Sequence, residues 1–290
     1  LIGTPPNLFL ASFARDSLGV EIGFAEWMAM ALPLVIVLLL ILWLLLTRVL
    51  FPCRGVLLGL DLRLGSKRKP MAQGEKVSLA IFVLTASLWL LRPVLGEWTV
   101  FGINPLAGLT DTGIAIAAAL LLFLLPAGGG ERVMNWETMV KLPWGLLLLF
   151  GGGLSLASAM QTNGVSELIG RQLSQFDGLS PWLLIAIATS LMVFLTELTS
   201  NTATTAAMVP IFSAVAAGVG MSPVLLATAT AVSASCAFML PVATPPNAIV
   251  FAGSGLTVRE MIRAGVWMNI ICIVVVTIWV MLFLEPTLAG

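Results

Sequence analysis

Along this chain apolar residues neither alternate with polar ones nor recur at helical spacing; they run in long unbroken blocks with short polar stretches between them. About 20 consecutive apolar residues cross the hydrocarbon core of a bilayer. The uncharged windows Trp27–Thr47, Thr112–Gly130, Leu142–Ser166, Gly178–Thr196 and Ala264–Leu284 each predict a spanning helix on that measure. Val77–Leu91 is shorter and spans if Lys76 and Arg92 snorkel to the two interfaces. From Leu198 to Val258 no charge occurs at all. That stretch is too long for one helix and holds two or more passes, interrupted at Ser200-Asn201-Thr202, at Gly218-Val219-Gly220 and at Pro245-Pro246.

The interruptions carry a repeat. Thr-Pro-Pro-Asn occurs twice, in Gly3-Thr4-Pro5-Pro6-Asn7 and in Ala243-Thr244-Pro245-Pro246-Asn247. A Pro-Pro pair cannot continue a helix, because each ring removes one N–H and clashes with the preceding turn, so upstream carbonyls lose their partners. At membrane depth such a break survives only where it is buried in protein or lines a cavity. Two matched breaks in two parts of a membrane chain point to a transporter site near the midplane, with carbonyls for cations and helix N-termini for anions.

Composition agrees with this reading. Hydrophobic residues make up 59%, charged residues 10%, and the mean hydropathy is +1.06, against roughly 25% charged residues in soluble domains. The chain has nine Trp, no Tyr and no His, and Trp27, Trp98, Trp136 and Trp182 fall near span ends, where interfacial rings are expected. Basic residues set the orientation. With the loop Arg48–Lys76 on the cytoplasmic side, the inside segments hold Arg48, Arg54, Arg63, Lys67, Arg68, Lys69, Lys76, Arg132, Lys141, Arg259 and Arg263, and the outside ones Arg15, Arg92 and Arg171. This strong positive-inside bias requires Leu184–Ala217 to be a re-entrant hairpin that enters and leaves on the outer side with its tip near Ser200. An ordinary crossing would move Arg259 and Arg263 outward.

The predicted tip is polar: Thr196, Glu197, Thr199, Ser200, Asn201, Thr202, Thr204 and Thr205 lie between apolar arms. Single Ser and Thr residues in membranes usually bond their own helix or a neighbouring one; a cluster this dense points to a site. Ser and Asn are preferred N-caps, so the second arm starts at Ser200 or Asn201 and turns its free N–H groups and positive dipole end towards the cavity, a ready anion site. No Lys, Arg or His occurs from Leu198 to Val258. Helix ends and hydroxyls can hold one carboxylate, but a doubly charged solute needs bound cations. The oxygens of Thr196, Ser200 and Asn201, with carbonyls beside Ala243, are hard ligands suited to Na⁺, and co-binding makes each ligand raise the other's affinity.

These residues resemble a known family. The Thr196-Glu197-Leu198-Thr199-Ser200-Asn201-Thr202 tip, the Ala243-Thr244-Pro245-Pro246-Asn247 loop, the Gly3-Thr4-Pro5-Pro6-Asn7 loop and the Trp144–Met160 segment with Gly151-Gly152-Gly153 together look like the divalent anion:sodium symporter family, also called INDY-type or solute carrier family 13. The resemblance implies an all-α polytopic membrane protein with an inverted-repeat fold, a re-entrant hairpin and broken helices, working as a homodimeric elevator. Its cargo would be a di- or tricarboxylate such as succinate, malate, fumarate or citrate, moved with Na⁺. Carried over, Ser200, Asn201, Thr202, Thr244 and Pro245 contact substrate, with Thr4 and Pro5 on the first-repeat side. Thr196, Ser200, Asn201 and Ala243 form one Na⁺ site; Gly3, Thr4 and Pro5 contribute to the other. Family members carry a further Ser-Asn-Thr hairpin before the first Thr-Pro-Pro loop, so the expectation is that this chain is the C-terminal part of a longer transporter whose N-terminal half is missing here.

On that basis residues 1–70 end the first repeat and residues 71–290 form the second, with scaffold spans at about 77–161, the hairpin at about 184–217, a broken helix at about 223–252 and a last span at about 264–287. Pro5–Leu50 and Leu184–Thr287 would make up the moving domain. The expected setting is a membrane, that of a bacterial cell, with lipid around the protein and no nucleic acid bound. Glu197 is read as support for the hairpin tip, with a direct coupling role as the alternative. Gly151-Gly152-Gly153 lies mid-span without a following Lys-Ser/Thr, so close helix packing is preferred to a phosphate loop. Lys67-Arg68-Lys69 serves topology. Cys53, Cys236 and Cys272 imply no disulfide framework.

Other functions remain open. A Na⁺-independent dicarboxylate exchanger and a sulfate or other anion transporter share the same features. An arsenite or Na⁺/H⁺ antiporter-like permease is more remote, since Glu197 is the single buried titratable candidate. An intramembrane enzyme is disfavoured: without His there is no His-Glu-x-x-His zinc site and no Ser-His pair; composition alone also leaves a structural membrane scaffold open, though such a protein has no reason to place two polar helix breaks at the bilayer centre.

Overall fold

The computed structural model describes residues 3–52, 70–99, 104–142, 144–165, 168 and 180–284. Cys53, Arg54, Arg63, Lys67, Arg68, Lys69 and Arg171, on which parts of the charge count rest, lie outside the described residues. In chain order the elements are α1 (Pro5–Leu18), α2 (Phe24–Leu44, continuing as a π-helical turn over Leu45–Leu50), α3 (Gln73–Gly96), α4 (Asp111–Leu124), β1 (Pro126–Gly128), β2 (Glu131–Arg132), α5 (Trp136–Met139), α6 (Gly145–Thr162), α7 (Pro181–Thr196), α8 (Asn201–Gly218), α9 (Pro223–Ser233), α10 (Pro245–Ser254) and α11 (Val258–Trp279, ending in a π-helical turn over Val280–Leu284). Among the described residues three helices are long and apolar enough to cross a membrane: Phe24–Leu50, Gln73–Gly96 and Val258–Leu282.

Two compact units are present. One comprises Leu1–Ile22, Met28–Cys53 and Trp144–Gly290. Its centre is α9, which packs on α1, α7, α8 and α11. The sequence of α9, Pro-Val-Leu-Leu-Ala-Thr-Ala-Thr-Ala-Val-Ser, places small residues on every face, and Ala227, Ala229, Thr230 and Ala231 are fully buried. Small side chains let helix backbones approach closely where the hydrophobic effect gives no drive between helices. Polar Thr and Ser are tolerated there because they bond inward: the hydroxyls of Thr230 and Ser233 donate to the carbonyls of Leu226 and Ala229 one turn back. Around this centre lie Leu34, Ile185, Val193, Cys272 and Val276. The outer face of α2 is the reverse case, with Leu32, Ile36, Leu39, Leu40 and Trp43 about half exposed, as a lipid-facing surface requires.

The other unit comprises Gly23–Trp27 and Arg54–Pro143. Here α3 packs on α4 and on β1. Asp111, in the first turn of α4, joins the pieces: its carboxylate accepts from the Phe24 N–H at 3.0 Å and pairs with Arg92 at 3.3 Å, while its carbonyl accepts from the Trp89 indole at 3.0 Å. Arg92 is thus held to α4, donating also to the Leu109 carbonyl. The predicted span Thr112–Gly130 is corrected. Its helix stops at Leu124, because Pro126 cannot extend it and Gly128, Gly129 and Gly130 all adopt left-handed φ, turning the chain into the short antiparallel pair β1–β2. The last predicted span is extended too, with α11 starting at Val258 rather than Ala264. Thr257 and Glu260 form a reciprocal capping box that fixes the earlier start.

The expected scaffold stretch 77–161 is divided between the units. Its part up to Pro143 lies in the second, and α6, which packs on α1 and α8, lies in the first.

Candidate functional site

Residues 181–254, in which Glu197 is the one charged residue, fold as the four helices α7 to α10. α7 has 16 residues and α8 has 18, rising about 24 and 27 Å, and they pack on each other across the joint Glu197–Ser200. α9 and α10 have 11 and 10 residues, so each rises only about 15–17 Å, near half of a ~30 Å hydrocarbon core. Between them Ala234–Thr244 is not helical. The reason is local at its far end, where Pro245 and Pro246 open α10 and cannot continue a helix from upstream.

Both Thr-Pro-Pro-Asn motifs start helices in the same way. Thr4 and Thr244 are the N-caps of α1 and α10, with nearly equal extended backbone angles (φ −145°, ψ 143° and φ −144°, ψ 152°), and proline follows each. The freed carbonyls can be named. The carbonyl of Gly3 or Ala243 would accept from the residue three or four further on; three on is a proline without N–H. Four on, the Asn7 N–H goes to the Thr4 carbonyl and the Asn247 N–H to the Thr244 hydroxyl. Gly3 and Ala243 therefore present carbonyls with no donor from the following turn, as a cation site needs. Pro5 and Pro245, at the first helical positions, contribute geometry and apolar ring surface.

Ser200 caps α8, its hydroxyl accepting from the Ala203 N–H at 3.4 Å, and the helix starts at Asn201, one of the two starts expected. The Asn201 side-chain oxygen is buried and has no hydrogen-bond partner among the described residues; the same is true of Asn7 in the first motif. A buried carbonyl oxygen without a donor is costly and is chemically suited to a hard cation. Thr196 is fully buried and donates to the carbonyls of Met192 and Val193, which uses its proton and leaves its oxygen lone pairs. Thr202 is also buried, whereas Ser200 is exposed.

What the structure brings together is centred on Ala234–Thr244. From the first motif, the Thr4 hydroxyl meets the Ser235 hydroxyl at 3.2 Å across 231 residues of sequence. From the joint between α7 and α8, the Glu197 carboxylate, 4% exposed, accepts from the N–H groups of Met239 at 2.9 Å and Leu240 at 3.1 Å. Asn269 of α11, fully buried, donates to Glu197 at 2.7 Å and accepts from the Phe238 N–H at 3.2 Å. The Asn247 amide donates to the carbonyls of Ala237 and Leu240. Glu197 thus supports more than its own tip: it replaces the missing helical acceptors of the broken stretch. Among the described residues no hydrogen bond links Ser200, Asn201 or Thr202 to Thr244 or Pro245.

Three participants escaped the sequence reading: Ser235, Asn269 and Gly265. Asn269 left a usable signal, an amide in an otherwise apolar span. Gly265 left none. A Cβ there would lie 2.5 Å from the Met239 Cα and from the Phe238 carbonyl, so only glycine lets α11 approach the broken stretch. The glycine triplet divides: a Cβ at Gly153 would meet the Phe9 ring at 2.8 Å and the Ala206 carbonyl at 3.0 Å, while Gly151 and Gly152 face open space.

The helix start at Thr4 and the joint before α8 thus meet one unwound stretch that ends at the N-terminus of α10, in a chain of apolar helices. Residues 1–288 match the family described as the sodium:sulfate symporter transmembrane region, and the chain belongs to that family, the divalent anion:sodium symporters. It is 40% identical over 298 residues to the sodium-dependent dicarboxylate transporter SdcS of Staphylococcus saprophyticus, and 40% identical over 302 residues to the transporter of that name from Staphylococcus aureus strain USA300. In both comparisons the whole chain is covered but 56% of the relative, so the chain spans about half the length of the relatives it matches.

Proposed function

We propose that the complete protein couples Na⁺ entry to uptake of a dicarboxylate, with the cargo held between helix ends rather than by basic side chains. The observation that carries this reading is the convergence of Thr4, Glu197 and Asn269 on Ala234–Thr244, beside the freed Ala243 carbonyl. Substrate carboxylates take the N-terminal ends of α8 and α10, through Ser200, Asn201, Thr202, Thr244 and Pro245, with Thr4 and Pro5 at the start of α1. Na⁺ takes the oxygens of Thr196, Ser200, Asn201 and Ala243 at one site, and of Gly3 and Thr4 at the other. The unpartnered Asn201 and Asn7 oxygens support cation ligation, and the names of the relatives support both the ion and the substrate class.

The inverted-repeat architecture is part of the proposal. The matched backbone of Thr4 and Thr244 supports two related halves. Thr47 at the end of α2 and Glu260 at the start of α11 line one cavity; this supports having those two ends on one side of the membrane, and with it α7–α8 as a re-entrant hairpin and the orientation with Arg48 and Arg259 both inside. Movement is by an elevator, in a homodimer, in the bacterial cell membrane, with α1, α2 and α7–α11 travelling against a scaffold that includes α3 and α4. The test is radiolabelled succinate uptake into proteoliposomes holding the full-length protein, with Na⁺ replaced by choline. Uptake that collapses without Na⁺ is expected; uptake indifferent to Na⁺ rejects symport in favour of exchange.

A further inference from the structure

Two hydroxyl or amide side chains are buried in α11, Asn269 and Thr277, and they behave differently. Thr277 donates to the Ile273 carbonyl of its own helix at 2.7 Å, the ordinary way a membrane helix satisfies a hydroxyl. Asn269 directs both ends of its amide outside α11. Its oxygen accepts from the Phe238 N–H at 3.2 Å and its nitrogen donates to the Glu197 carboxylate at 2.7 Å. The partners fix which end is which, because an N–H needs an acceptor and a carboxylate needs a donor.

From these two bonds a relay runs to both parts of one proposed Na⁺ site. On the hairpin side, Glu197 directly follows Thr196, the last residue of α7. On the other side, the Glu197 carboxylate accepts from the Leu240 N–H at 3.1 Å, and the Leu240 carbonyl in turn accepts from the Ala243 N–H at 3.2 Å and from the Asn247 amide at 3.1 Å. Ala243, whose carbonyl is the freed one, is thus tied through Leu240 to the carboxylate that Asn269 orients. The tie is needed because Ala234–Thr244 is not helical and has no ladder of its own to aim a carbonyl. Groups that hold metal ligands in orientation typically change metal affinity by roughly 10–100-fold when they are removed.

We propose that Asn269 is a positioning residue for the Na⁺ site of Thr196, Ser200, Asn201 and Ala243, fixing through Glu197 how the end of α7 stands against the unwound stretch. It touches neither the ion nor the cargo. The inference rests on the assignment of that site to Na⁺ made above. Without Asn269, Na⁺ binding weakens but is not lost, since Glu197 keeps the Met239 and Leu240 N–H groups as donors.

Two titrations of the full-length protein with Na⁺, balanced by choline, test the proposal: the rise in melting temperature, which needs no transport, and succinate uptake into proteoliposomes. Asn269→Leu, apolar and of similar size, is expected to raise the Na⁺ concentration at half effect by roughly tenfold or more in both, with the maximal uptake per folded protein largely kept. Thr277→Val removes the other buried hydroxyl of α11 and leaves the Na⁺ midpoint where it was. If Asn269→Leu does not fold, Asn269→Ser, too short to span both partners, is expected to shift the midpoint in the same direction. A folded Asn269 variant with an unmoved Na⁺ midpoint overturns the proposal, and so does a maximal rate that falls while the midpoint stays, as a merely structural role would give. Wild-type protein indifferent to Na⁺ in both titrations overturns the Na⁺ reading of the site and the proposal with it, an outcome distinct from failure of the proposal alone.

Discussion

At the scale of single residues, the site is made of groups whose hydrogen-bonding capacity is left over or deliberately used up. Asn201 belongs to the first kind. Its amide oxygen, buried with no hydrogen-bond partner among the described residues, costs the fold free energy; in the proposed site a cation or substrate relieves that cost, so Asn201→Ala is expected to abolish Na⁺-stimulated succinate binding, read by calorimetry on the full-length protein, while leaving the unliganded melting temperature level or higher. A sharply lower melting temperature would reassign the residue to folding. Glu197 belongs to the second kind. Its carboxylate accepts three donors from Met239, Leu240 and Asn269, and Glu197→Gln turns an amide donor towards at least one of them. The expected loss is about 1–3 kcal/mol of stability, seen as an earlier thermal transition, with succinate uptake reduced yet measurable. Uptake lost completely with normal folding would mean that Glu197 takes part in coupling itself.

At the scale of elements, the joints are held by backbone approach as much as by polar bonds. Gly265→Ala places a methyl group 2.5 Å from main-chain atoms of Phe238 and Met239. Backbone cannot rotate away as a side chain can, so a destabilisation of about 1–3 kcal/mol is expected from overpacking. Gly151→Ala is the control, since nothing lies within 4 Å of its added methyl and alanine favours the helix by roughly 1 kcal/mol over glycine. Melting curves that fail to separate the two variants would contradict the close approach of α11. Element starts were legible in the sequence where a proline pair or a capping residue imposed them, at Pro5, Asn201 and Pro245. The end of α4 and the beginning of α11 were misread, because hydropathy alone ignores what Pro126, the glycine run and the Thr257–Glu260 capping box do to a backbone.

For the whole molecule, the consequence is reciprocity between ligands. If Na⁺ and a dicarboxylate meet at the same helix ends, succinate must raise the apparent affinity for Na⁺ by the factor by which Na⁺ raises that for succinate; paired titrations giving unequal factors would rule out a shared equilibrium site. The orientation is testable as well. Arg48→Cys and Arg259→Cys, each in a cysteine-free background, are expected to react with a membrane-impermeant maleimide from the same, cytoplasmic face, and labelling from opposite faces would remove the re-entrant hairpin. By itself the sequence determined that this chain is helical and membrane-embedded, and where its helices must break: uncharged length and a pyrrolidine ring without N–H act locally, whatever surrounds them. It also offered the side chain of Asn201 and the carbonyls beside Ala243 as candidate cation ligands. Only the tertiary structure decided what meets the breaks. That Thr4 reaches Ser235, that Glu197 caps N–H groups 42 and 43 residues further on, and that Gly265 admits the unwound backbone all depend on how closely helices distant in sequence approach one another, which no local pattern encodes.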